Sequence, residues 1–191
     1  MNVETPRVKG CERQNHSPLL ERFWPQLHHA ATGIGLPILD LACGTGRNGL
    51  FVNQHSLEHG KHSLPIVFSD RNEQSLQTIQ SLIEPPSTLW TIDFEAPDSH
   101  PLAGKSYSAI MVFRYLHRPL FASIKQAIAP GGLIIYETFT VKQAELGRPK
   151  NPDFLLKSGE LSDIFAGWQV LHQFEGMVNG SAIAQIVAIK P

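Results

Sequence analysis

The sequence predicts an α/β fold in which helices cover both faces of a mostly parallel sheet that ends in an antiparallel hairpin. Short apolar runs, separated by segments of helical periodicity, recur near residues 38, 65, 88, 108 and 133. Two more apolar runs, 168–174 and 182–190, flank the dipeptide Asn179-Gly180, which is a strong signal for a hairpin turn. This alternation predicts a three-layer sandwich built on a seven-stranded sheet.

The bulk composition is that of an ordinary globular protein. Hydrophobic residues make up 42% and charged residues 17% of the 191 residues, which predicts one domain over 18–191 after a flexible tail over 1–17. The net charge of −1 provides no basic surface for a polyanion, so a nucleic-acid partner is disfavoured. No apolar run approaches the length of a membrane span, and the N-terminus lacks the apolar core of a secretion signal. We therefore expect a cytoplasmic protein without membrane contact, and a monomer, with no disulfide between Cys11 and Cys43.

A glycine-rich turn follows the first predicted strand, residues 38–41, and leads into a helix that begins near Arg47. Gly44 and Gly46 permit backbone angles that a side chain disfavours, so this turn can wrap closely around a ligand. The helix behind the turn directs free N–H groups and the positive end of its dipole toward that ligand. The turn is therefore a predicted binding site.

The acid at the end of the same strand indicates which ligand the turn suits. Gly44, Gly46 and Gly49 satisfy the spacing of the dinucleotide fingerprint, so the spacing alone is ambiguous. Asp40 would repel a pyrophosphate on the helix N-terminus, whereas it suits a ligand that carries an ammonium and a sulfonium. The stretch D-L-A-C-G-T-G, residues 40–46, resembles the first motif of the class I S-adenosylmethionine (SAM) dependent methyltransferases. A capping turn without a ligand is the alternative.

The segment before this strand predicts a helix with an apolar face. Ser17 and Pro18 fit the N-cap and the first helical position, and Pro25 indicates a break or a second short helix. In the resembling family a leading helix covers the cofactor site, but packing on the core explains the apolar face equally well.

His55, His59 and His62 follow the glycine turn, in a predicted polar loop after the next helix. The first two are one helical turn apart, which invites a metal site, but no fourth ligand of suitable type lies near them in the sequence. We therefore expect surface histidines and no metal.

A second acid, Asp70, ends the second predicted strand, residues 64–70. It follows Gly46 by 24 residues, which is the offset expected for a carboxylate that accepts from both hydroxyls of a ribose. An N-cap for the helix from Asn72 is the alternative, and Asp70 can serve both purposes. Arg71, directly after this acid, is included in the predicted cofactor site.

A third strand at 88–92 leads to Asp93, Phe94 and Glu95. In methyltransferases of the resembling type, an acid just past this strand accepts from the adenine amino group, and a neighbouring backbone N–H binds a ring nitrogen. The resemblance assigns these places to Asp93 and Phe94, with Glu95 as a competitor for the acid.

The fourth predicted strand, 107–113, is followed by Arg114, Tyr115 and His117. Ligands of open α/β sheets lie beyond the carboxyl ends of the strands, so this exit faces the reacting methyl group and these three residues are acceptor-side candidates. The alternative is that Arg118-Pro119 simply begins the next helix, with Tyr115 packed beneath it.

A helix over 120–129 is predicted to end at a Pro130-Gly131-Gly132 reversal into a fifth strand, 133–138. Glu137, at the exit of that strand, is a candidate general base or an anchor for a cationic group. The polar stretch 139–157 lacks periodicity, and its length predicts a substrate lid.

The order of elements from Ser17 onward resembles the Rossmann-like class I methyltransferases, and the sequence after the fifth strand resembles their small tellurite-resistance and thiopurine-type branch. The resemblance implies in-line transfer of a methyl group from SAM to a small-molecule acceptor, which leaves S-adenosylhomocysteine. The predicted catalytic residues are Arg114, Tyr115, His117 and Glu137. The predicted cofactor-binding residues are Asp40, Ala42, Cys43, Gly44, Gly46, Asp70, Arg71, Asp93, Phe94 and Phe113.

Three other functions remain open at this point. A dinucleotide-dependent oxidoreductase would use the same glycine turn, although the chain lacks room for a substrate domain. A regulatory module would bind SAM without turnover. A methyltransferase that acts on protein or RNA would use a local basic rim formed by Arg114, Arg118, Lys142, Arg148 and Lys150.

Overall fold

A computed structural model describes residues 16–59, 63–83 and 85–191 and contains one seven-stranded sheet. The strands are β1 (Ile38–Leu41), β2 (Ile66–Asp70), β3 (Thr88–Thr91), β4 (Tyr107–Phe113), β5 (Ile128–Phe139), β6 (Gln169–Val178) and β7 (Ser181–Ile189). Their order is β3-β2-β1-β4-β5-β7-β6, in which β1 to β5 are parallel and β7 is antiparallel to both neighbours. The predicted fold class is confirmed. The predicted tail, apart from residues 16 and 17, lies outside the described residues.

The helices of the described residues precede β1, connect some of the parallel strands, or lie between β5 and β6. They are α1 (Pro18–Arg22), α2 (Trp24–Ile34), α3 (Arg47–His59), α4 (Glu73–Gln80), α5 (Phe121–Ala127), α6 (Gln143–Leu146) and α7 (Glu160–Ile164). Ser17 caps α1, since its side chain accepts from the backbone N–H of Leu19, and α2 begins directly after Phe23. The predicted N-cap and the break near Pro25 are therefore confirmed.

Alternating side chains of the central strands build a separate apolar layer on each face of the sheet. Leu39 of β1 and Ile110 of β4 are buried with side chains of α5 and α7. Ile38 and Met111, their neighbours in sequence, are buried on the opposite face with side chains of α1 to α4. The apolar face predicted for the leading helix thus packs on the core.

The Pro130-Gly131-Gly132 segment is not the predicted reversal. Strand β5 runs through it, and the segment forms a bulge because Tyr107 pairs with Ile128 while Ala109 pairs with Leu133. Gly131 takes a φ of 75° there and donates its N–H to Lys190 O at 3.0 Å. Lys190, directly after β7, exchanges backbone hydrogen bonds with Gly131 and Gly132 and holds this segment beside that strand.

The predicted hairpin is confirmed between β6 and β7. Asn179 and Gly180 have φ values of 49° and 77°, as a two-residue turn with left-handed central residues requires.

The predicted lid, residues 139–157, is held to the body of the protein. It contains α6 and a 3-10 helix, Pro152–Phe154, and Leu155 and Leu156 are buried. Arg118 binds both carboxylate oxygens of Glu160, at 2.6 and 2.9 Å, and also donates to the carbonyls of Asp153 and Leu155. This clamp fixes the second half of the segment beside the exit of β4.

Gly49 allows α3 to approach β1 and β2 closely, which gives a first testable prediction. A Cβ at this position would lie 2.6 Å from Asp40 Oδ2 and would also strike the Phe68 ring. We expect Gly49→Ala to lower the free energy of unfolding in urea by about 2 kcal/mol through overpacking. Gly33→Ala, in α2, is the control. A Cβ at this position meets no atom within 4 Å, and alanine has a higher helix propensity than glycine. Equal stability of the two variants would contradict the packing role of Gly49.

Candidate functional site

Two adjoining cavities open at the carboxyl ends of the parallel strands. The larger cavity, about 620 Å³, is lined by Asp40, Ala42, Cys43, Gly44, Thr45, Arg47, Asn48, Phe113 and Arg114. The smaller cavity, about 260 Å³, is lined by Ala42, Asp70, Arg71, Ile92, Asp93, Phe94, Glu95, Arg114, Tyr115 and Phe154. Ala42 and Arg114 line both cavities, which therefore form one groove across the edge of the sheet.

Asp40 is the buried acid of the larger cavity. Only 2% of its surface is exposed, and its Oδ2 accepts from the Gly49 N–H at 2.9 Å. Burial raises the pKa of this carboxyl to about 7, and the negative charge of Asp70 adds to the effect of burial while the bond from Gly49 opposes it. A cation beside Asp40 would favour the ionised form, so this corner of the groove suits a positively charged ligand group.

The glycine turn between β1 and α3 has left-handed backbone at Ala42, Gly44 and Gly46, with φ values of 53°, 56° and 73°. A Cβ on Gly46 would lie 2.6 Å from the Ile79 side chain, so this glycine lets the turn pack on α4. A Cβ on Gly44 would meet no protein atom within 4 Å. Since Gly44 lines the larger cavity, the turn keeps that space open for a ligand.

Asp70 links the glycine turn to the end of β2. Its Oδ2 accepts from the Gly44 N–H and its Oδ1 from the Asn72 N–H, both at 2.8 Å. The N-cap of α4 is Asn72, whose side chain accepts from Ser75 N, so the capping alternative for Asp70 is not observed. The carboxylate lines the smaller cavity and retains lone pairs for a ligand.

The rest of the smaller cavity combines acids with a buried phenol. Asp93 is exposed and accepts from the Glu95 N–H at 2.9 Å, and Phe94 is buried beside it. The hydroxyl of Tyr115 is buried and faces the Glu95 side chain. Burial raises the pKa of Tyr115 above its usual range, and the charge of Glu95 adds to this. The phenol therefore stays protonated at neutral pH and can donate to a ligand.

Arg114 stands where the two cavities meet. Its backbone is left-handed, with a φ of 59°, and its N–H donates to Glu137 O at 2.8 Å. The guanidinium lies 4.5 Å from the centre of the Phe139 ring. Nη1 is buried and reaches no hydrogen-bond acceptor among the described residues, which leaves it for a ligand atom.

Glu137 and His117, two of the predicted catalytic residues, do not line either cavity. Glu137 is 3% exposed and lies behind Arg114, whose Nη2 is 3.4 Å from its Oε1. His117 precedes the 3-10 helix Arg118–Leu120, and its carbonyl accepts from Leu120 N. The position of Glu137 fits the predicted anchor for a cation better than a base in contact with a substrate.

Several lining residues were not among the predicted site residues. Thr45 lies inside the glycine turn, and Arg47 and Asn48 begin α3, so their place in the sequence could have identified them. Phe154 belongs to the predicted lid but lines the smaller cavity. No local sequence signal distinguishes this phenylalanine from other exposed residues of the segment.

The described residues contain no cluster of His, Cys, Asp or Glu side chains that could hold a metal ion. Helix α3 continues to His59, so His55 lies in a helix instead of the predicted loop, stacked 5.0 Å from Phe51 and edge-on to Trp24. His62 falls outside the described residues. None of the helices in the described ranges is long and apolar enough to cross a bilayer.

The architecture resembles that of solved methyltransferases. No family model and no curated protein matches the sequence. TehB from Haemophilus influenzae superposes with a TM-score of 0.62 at 21% identity, over 87% of this chain and 62% of that one. A SAM-dependent methyltransferase from Mesorhizobium loti gives 0.61 at 17% identity, over 88% and 97%. The N-methyltransferase NodS from Bradyrhizobium japonicum gives 0.60 at 13% identity, over 92% and 98%.

The chain has the class I methyltransferase fold. Its groove lies beyond the carboxyl ends of β1, β2 and β4, where this class of open α/β sheet binds ligands. The chain spans about 62% of the length of TehB, so the likeness concerns the methyltransferase fold and not the whole of that protein.

Proposed function

We propose that this protein is a SAM-dependent methyltransferase that acts on a small-molecule acceptor. The observation that carries the proposal is the position of Asp40 and Asp70 at the ends of two adjacent parallel strands, on one groove, with Gly44 between them. The larger cavity, about 620 Å³, is in the size range of small-molecule sites. Named SAM-dependent methyltransferases among the structural neighbours add support at the level of the fold.

The residues of the groove fit the two ends of SAM. Asp40 and the turn at Gly44 would hold the amino-acid end in the larger cavity, because a cationic partner stabilises a buried carboxylate. Asp70 would accept from the ribose hydroxyls in the smaller cavity, and Asp93 with Phe94 would hold the adenine. Cys43 and Phe113 would contact the ligand from the floor of the larger cavity, and Arg71 from the rim of the smaller one.

When bound, SAM supplies a methyl group already activated on a sulfonium. The contribution of the protein is then mainly to position the two reactants, which can lower a barrier by about 7–11 kcal/mol. Ala42 and Arg114 flank the point where the cavities meet, so the acceptor would approach there. Arg114 would bind it through the free Nη1, and the protonated Tyr115 would donate a hydrogen bond into the smaller cavity.

The raised pKa of Asp40 gives a pH prediction for this site. Between the ordinary carboxyl value of 3.8 and about 7, the folded protein binds more protons than the unfolded chain, so its ligand-free stability falls as the pH rises through this window. Binding of an ammonium needs the ionised carboxylate, so SAM affinity should rise roughly tenfold from pH 5.5 to 7. Calorimetry across this range, with Asp40→Asn as the control, measures both effects. If the SAM affinity of Asp40→Asn rose equally steeply with pH, the titrating group would be another residue.

Two measurements test the proposed function directly. Calorimetry should detect binding of both SAM and S-adenosylhomocysteine to the full chain, and absence of both signals would refute the proposal. Incubation with methyl-labelled SAM and a fractionated cell extract should then label a low-molecular-weight compound. Label found only in protein or RNA would refute the small-molecule acceptor while retaining the methyltransferase.

A further inference from the structure

A buried polar network lies directly behind the groove, centred on Glu137. Its Oε2 accepts from Ser17 Oγ at 3.1 Å and from Gln185 Nε2 at 2.7 Å, while Oε1 faces Arg114. Ser17 and Gln185 are themselves at most 9% exposed, and Gln185 Oε1 is 2.9 Å from His172 Nε2. Three different elements, the cap of α1, β5 and β7, thus hold one carboxylate against one guanidinium.

The network surrounds a carboxylate that has no access to the groove. Glu137 is absent from the lining of both cavities, whereas Arg114 lines both. An effect of Glu137 on a bound ligand can therefore pass through Arg114, through the electric field, or through Ser17, whose N–H donates to Asn48 Oδ1 on the wall of the larger cavity. The electrostatic route matters here because Glu137 is buried and Arg114 is only 26% exposed, so water and salt screen their charges less than they screen charges on the open surface.

The place of Arg114 creates an electrostatic conflict for the proposed ligand. If SAM spans the groove from Asp40 to Asp70, its sulfonium lies near the point where the cavities meet, and Arg114 forms the wall at that point. Two positive charges at short range repel each other. A neutralising charge beside the guanidinium removes most of this repulsion.

We infer that Glu137 sets the preference of the groove for the positively charged methyl donor over its neutral product, by cancelling the charge of Arg114. This inference rests on the proposed function. Asp40 contributes less to this discrimination, because the ammonium that it would bind is present in both SAM and S-adenosylhomocysteine. The sulfonium charge is the difference between donor and product, and it lies at the Arg114 end of the larger cavity.

The Glu137→Gln variant tests this inference through a ratio of affinities. It leaves the Arg114 charge uncompensated, so SAM binding should weaken on the order of tenfold relative to S-adenosylhomocysteine binding. Arg114→Gln should shift the same ratio in the opposite direction, because the buried Glu137 charge then attracts the sulfonium. The double variant is neutral again and should return the ratio to within about threefold of the wild-type value.

Calorimetric titration of each variant with SAM and S-adenosylhomocysteine measures these ratios, and thermal unfolding shows whether each variant is folded. Glu58→Gln is the control, since it removes one exposed carboxylate of α3 outside both cavities and should leave the ratio unchanged. A purely structural role of Glu137 would weaken both ligands equally.

The outcomes distinguish a failure of the proposed function from a failure of the role assigned to Glu137. Wild-type protein that binds neither ligand would overturn the proposed function and this inference with it. Wild-type protein that binds both, with the same ratio in the two single variants, would overturn only the role assigned to Glu137. If Glu137→Gln fails to fold, the Arg114→Gln and double variants still decide the question through the direction of their shifts.

Discussion

Replacing Gly44 by valine is expected to abolish SAM binding, with a rise in Kd of at least about 100-fold. A valine side chain would project into the larger cavity, where a Cβ at this position meets no protein atom within 4 Å. That space is the place of the ligand backbone in the proposed complex, and overpacking of this kind costs roughly 3 kcal/mol, or about two powers of ten in affinity. Calorimetry with SAM and with S-adenosylhomocysteine measures the loss.

The control for this substitution is Gly104→Val, in the loop before β4. Gly104 shares the left-handed backbone, with φ 70° against 56° at Gly44, and its Cβ would also meet nothing within 4 Å. It lies outside both cavities, so the control carries the same backbone strain without the steric block. Retained binding in Gly44→Val, or equal loss in both variants, would refute the assignment of the turn.

Asp70→Ala should weaken SAM binding roughly 30-fold, because charge-assisted hydrogen bonds to two ribose hydroxyls are lost. The variant also removes acceptors for the N–H groups of Gly44 and Asn72, so a moderate loss of stability is expected. Asp70→Asn keeps one carbonyl oxygen for these donors and separates the two effects. It should regain stability while binding SAM more weakly than the wild type.

Asp163→Ala, on the exposed side of α7, is the surface control for loss of one carboxylate. It should change neither the melting temperature nor the affinity. Unchanged SAM affinity in Asp70→Ala would remove Asp70 from the site.

The sequence was sufficient for the fold because each strand signal is local. The central strands are continuous apolar runs, as expected of a parallel sheet covered on both faces, and the last two strands flank an Asn-Gly turn. The position of Asp40, Asp70 and the glycine turn follows from the same signals, since an acid at the end of a parallel strand must lie at the carboxyl edge of the sheet.

The features that the sequence did not predict depend on partners far away along the chain. The segment at Gly131 is paired with Lys190, about 60 residues later along the chain, and nothing within residues 128–133 indicates this. Glu137 is similarly recognisable as a buried anchor only once Ser17, 120 residues earlier, and Gln185, 48 residues later, are placed beside it. Local patterns carry no information about such contacts.

The shared wall formed by Ala42 and Arg114 limits how this scaffold can diversify. Because both residues border the two cavities, a change at either one that favours a new acceptor will also alter retention of the methyl donor. Selection for new acceptors should therefore act first on positions that border neither cavity, such as His117 after the exit of β4. Laboratory evolution toward other acceptors would start most economically outside the shared wall.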